Sequence, residues 1–493
     1  MTPIEEIHAQ LAEFGRLFER LQEQGRVCPN TAQGLAERAA ALVIEHFQNG
    51  NGCLREAVSL ICRIATDDNA EIARAGMKAL FPGLVERLND SFDPQSCQLY
   101  DELFVQVIEF CRRLPEGRRL DEGLKQFGLV TESDLLIRKS AIRNPQSAIP
   151  KKVLLLSRVT IGADVAVTSA IIAGLRQAFL NVEFVILGSR KLRELYGGDS
   201  RIRIHEIAYE RGGSLIARLT SWVDVVAAVS KERDGFQKDE VWVIDPDSRL
   251  TQLGLLPLVE NDHNYFFFES RSYQPESGQS IGQLAVNWSG ELIGSHEPVY
   301  PFVALPKDHL QFGQSVRAAI QHPASNIQHL VAVSFGVGGN NSKRVSDEFE
   351  QQLIEHLLTD SKIILDKGAS AEEREQINRI VAIVRAAGKT VVEFSEANKA
   401  DLPIKALRQA DVVTWDGSIG AFAGLIAASD KYVGYDSAGQ HIAAALGVAT
   451  MTLFVNSNSA TFAERWRPFG KGVVKVLNAK PSEFRLEDLK FAV

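Results

Sequence analysis

Apolar residues recur at helical spacing over the first part of the chain. One set lies on a single face of a helix, as an amphipathic helix requires: Ile4, Ile7, Leu11, Phe14, Phe18 and Leu21. The same pattern covers four further segments, which turn-forming residues separate: 31–48, 53–65, 69–88 and 97–114. No strand-like alternation interrupts this pattern, so we predict an all-α domain over residues 1–145.

From residue 151 onward, short apolar runs alternate with helical patterns. The strand-like runs are 151–157, 182–187, 202–207 and 241–245. The helical patterns between them are 165–179, 189–196 and 213–230. This alternation is typical of parallel βαβ units in a doubly wound sheet. A less regular stretch at 270–308, which contains several prolines, ends the series, and we predict a Rossmann-like domain over 151–308.

A second series of the same kind follows. Its strand-like runs are 329–335, 362–365, 390–394, 411–413, 431–434 and 449–454, and its helical patterns are 345–358, 371–387, 418–428 and 438–446. We predict a second Rossmann-like domain over 309–493. The predicted fold class is therefore α/β, with two Rossmann-like domains preceded by an all-α domain. Ligands of such folds bind at the carboxyl ends of the strands, and we expect a cleft there.

Composition and charge agree with a folded chain of several domains. Single cores stop growing at roughly 250–300 residues, and this chain has 493 residues. The net charge of −8 argues against nucleic acid as a partner. The first residues lack a secretory signal, and no uncharged apolar run is long enough to span a bilayer, so we predict a cytoplasmic protein, with a peripheral position at the inner membrane left open. All five cysteines lie in the first quarter without CxxC spacing, and we expect buried free thiols.

A strand-to-helix turn in the last series is the first candidate for chemistry. The strand that ends near Tyr435 is followed by Asp436 and Ser437, and a helical pattern begins directly after them. The free N–H groups and the dipole of a helix N-terminus attract phosphate. The alternative is that Asp436 and Ser437 only cap the helix, because Asp and Ser are common N-cap residues.

A glycine-rich loop begins the same domain. It has the sequence Phe335-Gly-Val-Gly-Gly-Asn-Asn-Ser-Lys-Arg344. Glycines let the backbone approach a phosphate closely, and Lys343 could neutralise it. The spacing to Lys343 does not fit a Walker loop, and Asn341 stands where a dinucleotide-binding fingerprint has its third Gly.

Four stretches carry a resemblance to a known family: Ser157-Arg-Val-Thr-Ile-Gly-Ala-Asp164, Asn341-Ser-Lys-Arg-Val-Ser-Asp-Glu-Phe349, Asp436-Ser-Ala-Gly-Gln-His441 with the Ile-Ala-Ala-Ala-Leu-Gly that follows it, and Arg467-Pro-Phe-Gly470. Together they resemble glycosyltransferase family nine, the heptosyltransferase-like inverting enzymes of GT-B fold. The resemblance covers about residues 151–480 and leaves the helical domain unexplained.

The resemblance implies an inverting transfer of a heptose-like sugar from a nucleotide-diphosphate donor, most plausibly ADP-linked, without a cofactor or a required metal. Asp164 takes the position of the catalytic base. The donor-binding positions are Ser342, Lys343, Asp436, Ser437, Ala438 and His441. Two departures from the family pattern stand out: Ala163 separates Gly162 from Asp164, and Ala438 replaces a usual Gly. The first could displace the carboxylate, and the alternative for Asp164 is an N-cap.

The acceptor side of the predicted pair has its own polar cluster. Asp247, Arg249 and Arg271 could bind a polar or anionic acceptor, such as a lipopolysaccharide core, another glycan, a lipid-linked sugar or a protein. Asp245 and Asp247 also form an Asp-x-Asp pair, by which GT-A glycosyltransferases bind a metal. The remaining alternative is a solvated loop with surface ion pairs.

Two other functions stay open beside the glycosyltransferase. One is a nucleotide-sugar epimerase with the same two-domain architecture. The other is a non-catalytic nucleotide- or sugar-binding module whose helical domain carries the biological interaction. In either case the helical domain could bind a protein partner or a second copy of the chain. Fold-level resemblance does not decide among these functions.

Overall fold

The computed structural model describes residues 3–142, 149–209, 212–260, 264–273, 278–321, 329–399, 401–457 and 459–489. Within them, an N-terminal helical region precedes two sheets of parallel strands. The predicted α/β fold class with an all-α beginning is confirmed. The chain divides into two compact units, one of Met1–Leu156 with Glu206–Ser277 and one of Ser157–His205 with Gly278–Val493. The domain limits predicted from the sequence stay a prediction.

The helical region follows the apolar pattern closely. Its α-helices are α1 (Pro3–Glu23), α2 (Pro29–Gln48), α3 (Arg55–Ala65), α4 (Ala70–Lys78), α5 (Glu86–Asn89), α6 (Pro94–Arg112), α7 (Arg118–Gln126) and α8 (Glu132–Ala141). The segment predicted as one helix over 69–88 is three pieces, because a π-helical turn, Ala79–Val85, joins α4 to α5. Pro82 lies inside this turn and has no N–H to donate, so regular α-helical bonding cannot continue through it.

All five cysteines are free thiols, but they differ in burial. Cys62 and Cys111 are buried, Cys53 and Cys97 are half-buried and Cys28 is exposed. The expectation of buried thiols is therefore right for the first two and wrong for Cys28. Burial raises the pKa of Cys53 and of Cys97 to about 12, which keeps both thiols protonated.

The first βα series has these elements: β1 (Lys152–Leu156), α9 (Ile161–Ala163), α10 (Ser169–Ala178), β2 (Glu183–Gly188), α11 (Arg193–Tyr196), β3 (Ile202–Glu206), α12 (Leu215–Arg233), β4 (Val241–Asp245), β5 (Tyr265–Phe267) and α13 (Ile281–Ile293). Its sheet has the strand order β3-β2-β1-β4-β5. In the first unit, β1 pairs in parallel with β4, Lys152 opposite Val241, and β4 pairs in parallel with β5, Val243 opposite Tyr265.

Helix α13 lies within 270–308, a stretch that the sequence pattern predicts to be less regular and for which it predicts no helix. Ser280 and Gln283 form a capping box at its start, and Gly294 ends it with a positive φ of 65°. Both features are ordinary helix boundary signals. The prolines that suggested an irregular stretch lie outside the helix.

The second series has these elements: α14 (Lys307–Ile320), β6 (His329–Ser334), α15 (Asp347–Leu357), β7 (Ser361–Asp366), α16 (Ala371–Ala386), β8 (Val391–Ser395), α17 (Ile404–Gln409), β9 (Val412–Asp416), α18 (Ile419–Ala427), β10 (Lys431–Tyr435), α19 (Ala438–Ala445), β11 (Ala449–Val455), α20 (Ala460–Trp466) and β12 (Val474–Ala479). The strand order is β12-β11-β10-β6-β7-β9-β8. Strand β12 and helices α14, α17 and α20 have no counterpart in the sequence prediction.

The strands of the second sheet have continuous apolar runs because they are buried in its core. Strands β6 and β7 are buried along almost their whole length, because helices cover both faces of the sheet. Residues such as Val333, Leu365 and Leu453 form one apolar cluster with side chains of α15 and α16. No helix among the described residues combines the length and the apolar character needed to cross a membrane.

In the first unit, the helical region packs on helix α12 and on the strands. The Trp222 ring of α12 is fully buried, its centroid lies 5.9 Å from that of Phe127, and its Nε1 donates to the Pro257 carbonyl at 2.6 Å. The Arg218 guanidinium of α12 lies 4.2 Å from the centre of the Phe81 ring. These contacts join the helical region and the α/β part of this unit in one core.

Candidate functional site

The strand order of the second sheet fixes where a ligand would bind. Strand β6 lies between β7 and β10, and the chain runs from β6 through β7 to one side and through β10 and β11 to the other. This is a topological switch point, outside which open α/β sheets bind their ligands. The loops that leave β6 and β10 meet there, because parallel strands end at the same edge. They are the glycine-rich loop with Lys343 and the turn with Asp436.

An ion pair joins these two loops. Lys343 Nζ lies 2.6 Å from Asp436 Oδ2, and the lysine side chain keeps 30% of its exposure. The same ammonium lies 5.3 Å from the centre of the Phe462 ring. In the glycine-rich loop, Gly338 and Gly339 have φ of 62° and 84°, a conformation that favours glycine. A partly exposed cation therefore stands at the start of α19.

The start of α19 is not capped by a side chain. Ser437 occupies the N-cap position in an extended conformation, but its hydroxyl accepts no bond from the first-turn N–H groups. The other Asp436 oxygen, Oδ1, accepts a hydrogen bond from Gln440 Nε2 at 2.7 Å instead of capping the helix. The capping alternative for Asp436 and Ser437 thus lacks its hydrogen bonds. Ala438 begins the helix, and a Cβ on Gly439 would collide with the Tyr432 hydroxyl, so only glycine fits there.

His441 lies on the first turns of α19 and is buried, with 5% exposure. Burial lowers its pKa to about 4, so the ring is neutral near pH 7. Its ring centroid lies 6.2 Å from that of Trp466, nearly edge-on. A neutral imidazole can exchange hydrogen bonds with a ligand but supplies no positive charge. Of the predicted donor-binding residues, Lys343 is thus the one that carries positive charge, and it lies beside the helix N-terminus.

Ser342 lies beside Lys343 in a short 3₁₀ turn, Asn341–Lys343, and is exposed. Its hydroxyl donates to Asn340 Oδ1 at 2.6 Å. Its carbonyl accepts a hydrogen bond from Asn456 Nδ2 at 3.0 Å. The side chain thus holds the shape of the loop that presents Lys343.

Asp164 lies in the second unit, in the segment that follows β1 along the chain. It is buried, with 1% exposure. Its carboxylate accepts hydrogen bonds from Ser157 Oγ at 2.6 Å, from the Arg158 N–H at 2.7 Å and from Thr168 Oγ1 at 3.0 Å. Burial raises its pKa to about 6, although these donors act in the opposite direction. Thr160, not Asp164, occupies the N-cap position of α9, which contradicts the N-cap alternative.

The backbone around Asp164 is unusual at two places. Val159 has a positive φ of 61°, which is strained for a β-branched residue. The five residues Asp164–Thr168 form a π-helical turn between α9 and α10. A π turn takes up one more residue than an α turn and is frequent at functional sites. It lies directly after Ala163, the residue that separates Gly162 from Asp164.

The loop that carries Asp164 touches the start of α19. A Cβ on Gly162 would lie 3.2 Å from Ala438 Cα and 3.3 Å from His441 Cδ2, so the two segments are in close contact. The Arg158 guanidinium lies 5.7 Å from the centre of the Trp466 ring. The structure thus brings the predicted base, Asp164, and the predicted donor residues into one neighbourhood of the second unit.

The predicted acceptor residues lie in the first unit. Asp247 and Arg271 form an ion pair, with 3% and 11% of their side chains exposed. Ser270 Oγ donates to Asp247 Oδ2 at 2.7 Å. Arg249 Nη1 donates to the Tyr100 hydroxyl of helix α6 at 3.3 Å. The alternative of a solvated loop is wrong, because the side chains of this cluster pair with each other and with the helical region.

The Asp-x-Asp pair is divided between two hydrogen-bond networks. Asp245 is fully buried and accepts hydrogen bonds from the Ser248 N–H and from the Tyr265 hydroxyl, both at 2.7 Å. Burial raises its pKa to about 6. Asp247 faces Arg271 instead. In the ranges that the structure describes, no group of three or more His, Cys, Asp or Glu is arranged to hold a metal ion.

A known family model matches the sequence segment that contains the start of α19. The model described as glycosyltransferase family 9 (heptosyltransferase) matches residues 415–490, which include Asp436 and His441. This segment of the chain is therefore similar to glycosyltransferase family 9. The resemblance predicted from the motifs is confirmed. No curated protein matched the sequence.

Solved structures of family 9 and heptosyltransferase proteins resemble the chain at low identity. The family 9 glycosyltransferase of Veillonella parvula DSM 2008 is 12% identical, covers 68% of this chain and 88% of its own, and has a TM-score of 0.46. The E. coli heptosyltransferase WaaC with ADP is 16% identical; the match covers 69% of this chain and 97% of WaaC, with a TM-score of 0.45. E. coli ADP-heptose lipopolysaccharide heptosyltransferase II is 15% identical, with coverages of 66% and 90% and a TM-score of 0.42. The similarity to family 9 rests on the family model and the motif residues, not on these structures.

Sequence reasoning missed a residue inside the family 9 segment itself. Gln440 is fully buried and connects the site: its amide nitrogen donates to Asp436, and its amide oxygen accepts a hydrogen bond from Thr452 Oγ1 on β11. It therefore holds Asp436 in the position where the carboxylate meets Lys343. The signal was its place in Asp436-Ser-Ala-Gly-Gln-His441, where a long amide side chain follows a small-residue turn.

Proposed function

We propose that the protein is an inverting glycosyltransferase of GT-B type. It would transfer a heptose-like sugar from a nucleotide-diphosphate donor to a glycan, lipid-linked or protein acceptor. One observation carries the proposal: the loop of Asp164 is in contact with the start of α19, beside Lys343 and the uncapped helix N-terminus. A candidate base and a candidate diphosphate site are therefore neighbours within one unit.

Asp164 is proposed as the general base. An inverting transfer needs a carboxylate that takes the proton of the acceptor hydroxyl while its oxygen attacks the anomeric carbon. A pKa of about 6 leaves Asp164 ionised at neutral pH and closer to the pH of the reaction than an ordinary aspartate. The three hydrogen bonds that it accepts fix the carboxylate, and a small movement of the Ser157 hydroxyl would free one oxygen for the acceptor.

The diphosphate would bind at the start of α19. Lys343 and the free N–H groups of this helix would stabilise the negative charge that develops on the leaving group. Asp436 holds Lys343 in place before the donor arrives. The proposed donor is heptose-like, because the matching family is described as heptosyltransferase. We further propose that it is ADP-linked. The proposed chemistry needs no metal, so chelation with EDTA should leave the transfer rate unchanged.

The donor site can be tested by calorimetry with ADP, UDP and GDP. We expect ADP to bind the wild type and Lys343→Ala to weaken this binding about 10- to 100-fold, because a charge-assisted hydrogen bond contributes roughly 1.5–3 kcal/mol. Lys405→Ala removes an exposed lysine of the same unit and serves as the matched control. Absence of nucleotide binding in the wild type, or equal binding in both variants, would contradict the proposed site.

A second candidate function has a specific observation in its favour. Asp164 is almost fully buried and both of its oxygens already accept hydrogen bonds, as a structural carboxylate would. This arrangement also suits a non-catalytic nucleotide-sugar-binding module. Donor turnover in the presence of a panel of acceptors separates the two functions. Nucleotide binding without transfer or hydrolysis would favour the module, and interconversion of the donor without acceptor would favour an epimerase.

A further inference from the structure

A cavity of about 240 Å³ lies in the second unit, and none of the residues assigned to the donor is among its lining residues. It is formed by helix α13, the end of α10, the segment 295–300 and Phe469. Four amide side chains and two aromatic rings give it its chemical character: Gln177, Gln279, Gln283, Asn287, Tyr300 and Phe469. We call it the amide cavity. The proposed function assigns it no role.

The amides of the cavity are partly bound to one another and partly open. Asn287 Nδ2 donates to Gln279 Oε1 at 3.0 Å, and Gln283 Oε1 accepts the Ser280 N–H at 2.9 Å. Ser295 Oγ donates to Gln177 Oε1 at 3.4 Å. Within the described part of the chain, this leaves the NH₂ groups of Gln177, Gln279 and Gln283 as donors and Asn287 Oδ1 as an acceptor. The framework is fixed by internal bonds, and the open groups are of both kinds.

The two rings provide an apolar face beside the amides. The ring centroids of Tyr300 and Phe469 are 5.0 Å apart, with an angle of 39° between the ring planes. Both residues are half-buried, so part of each ring faces the cavity. An aromatic face with a few fixed polar groups is the usual composition of a small-molecule site.

The lining also limits the charge of the ligand. Among the described residues that line the cavity, none is Lys or Arg, and the ionisable ones are His296 and Glu297. Two guanidiniums adjoin the lining: Arg467 Nη2 donates to Gln283 Oε1 at 3.2 Å, and Arg465 Nη1 donates to the Gln279 carbonyl at 2.9 Å. A phosphate or carboxylate would have to compete with these hydrogen bonds for a cationic partner or be desolvated without one, which is costly. The volume lies below the roughly 300–1,000 Å³ of drug-sized ligands, so it suits a single small unit.

From these observations we propose that the amide cavity binds one uncharged sugar unit of a glycan. Sugar hydroxyls both donate and accept hydrogen bonds, as amides do, and the C–H faces of a sugar ring pack on aromatic rings. The ligand class follows from the lining alone. Only the further step, that this sugar belongs to the acceptor of the transfer, rests on the proposed function.

The test is saturation-transfer NMR and calorimetry with neutral methyl glycosides of hexoses and heptoses, without nucleotide. Glucose 1-phosphate and sialic acid are the charged comparators. We expect at least one neutral glycoside to bind with a Kd on the order of 1 mM and the charged sugars to bind more weakly. Asn287→Ala and Tyr300→Ala should each weaken binding about tenfold, whereas Tyr300→Phe should keep most of it. Gln352→Ala, an exposed amide on α15, is the matched control.

Thermal unfolding of each variant identifies any general loss of structure, and Asn287→Ala keeps the test valid if Tyr300→Ala fails to fold. The proposal is overturned if no neutral glycoside binds, if the charged sugars bind equally well, or if the cavity variants bind like the wild type. Lys343→Ala should weaken ADP binding and keep glycoside binding. Absence of ADP binding in the wild type with glycoside binding intact would count against the proposed function alone, and ADP binding without glycoside binding in the wild type would count against the amide cavity alone.

Discussion

At the scale of single residues, burial separates the charged groups of the second unit by role. Asp164 is buried, and burial raises its pKa to about 6 although its hydrogen bonds and the charge of Arg158 act in the opposite direction. Asp436 is bound directly to Lys343 and to Gln440. His441 is buried and its pKa falls to about 4, so it is neutral. Groups whose environments separate their protonation states in this way are typical of sites that move a proton beside a bound anion.

The first prediction concerns the pH dependence of transfer. If Asp164 is the base, kcat/KM falls about tenfold per pH unit below pH 6, because only the ionised carboxylate accepts the proton, and it reaches a plateau above that pH. Asp164→Asn should lower kcat by about 10²–10⁴-fold. A pH profile of donor turnover measures both effects. Unchanged turnover in Asp164→Asn would reject the base.

Stability gives an independent control for the same substitution. The folded-state pKa of Asp164 is raised from 3.8 to about 6, so in this pH window the unfolded chain is ionised while the folded chain keeps the proton. The contribution of Asp164 to stability therefore falls as the pH rises from about 4 to 6. At pH 7.5, Asp164→Asn should unfold at a temperature no lower than the wild type, so loss of activity there cannot be ascribed to unfolding.

At the scale of elements, the sequence predicts the helices and strands whose apolar patterns are local, but not the contacts between distant segments. Strands such as β6 and β10 were found because their apolar runs are buried on both faces of the sheet. Helix α13 was not predicted although Ser280 and Gln283 form a capping box, because the prolines on either side of it indicate irregular structure. The ion pair of Lys343 with Asp436 spans 93 residues and depends on β6 lying next to β10, which no local pattern reveals.

The contact between the Asp164 loop and α19 gives a prediction at this scale. Gly162→Val should push the loop away from Ala438 and His441, because even a Cβ would lie 3.2 Å from Ala438 Cα. Small displacements of a catalytic group are costly, and we expect kcat to fall about tenfold or more. Gly34→Val, where nothing lies within 4 Å, is the control. Equal kinetics in both variants would show that the contact has no role in transfer.

At the scale of the whole molecule, the helical region is the part that the family resemblance leaves unexplained. In the first unit it contacts one of the residues predicted for the acceptor, because the Arg249 guanidinium lies over the Tyr100 ring. It also contacts strand β5, where the ammonium of Lys139 lies 5.7 Å from the centre of the Phe267 ring. Sequence patterns could place Arg249 after a strand, but they could not show that a helix of the preceding region covers it. The acceptor role of Asp247, Arg249 and Arg271 stays a prediction. Their contacts give them a structural role as well.

A double-mutant cycle on Arg249 and Tyr100 distinguishes these roles. If Arg249 joins the helical region to the rest of the first unit, then Arg249→Ala and Tyr100→Phe lower the free energy of unfolding non-additively, with a coupling of about 0.5–3 kcal/mol. The physical reason is the shared contact, a 3.3 Å hydrogen bond and a guanidinium 5.5 Å from the ring centre. Arg16→Ala, an exposed arginine of α1, is the control. Additive effects together with a higher KM for the acceptor in Arg249→Ala only would instead assign Arg249 to acceptor binding and leave the helical region without this link.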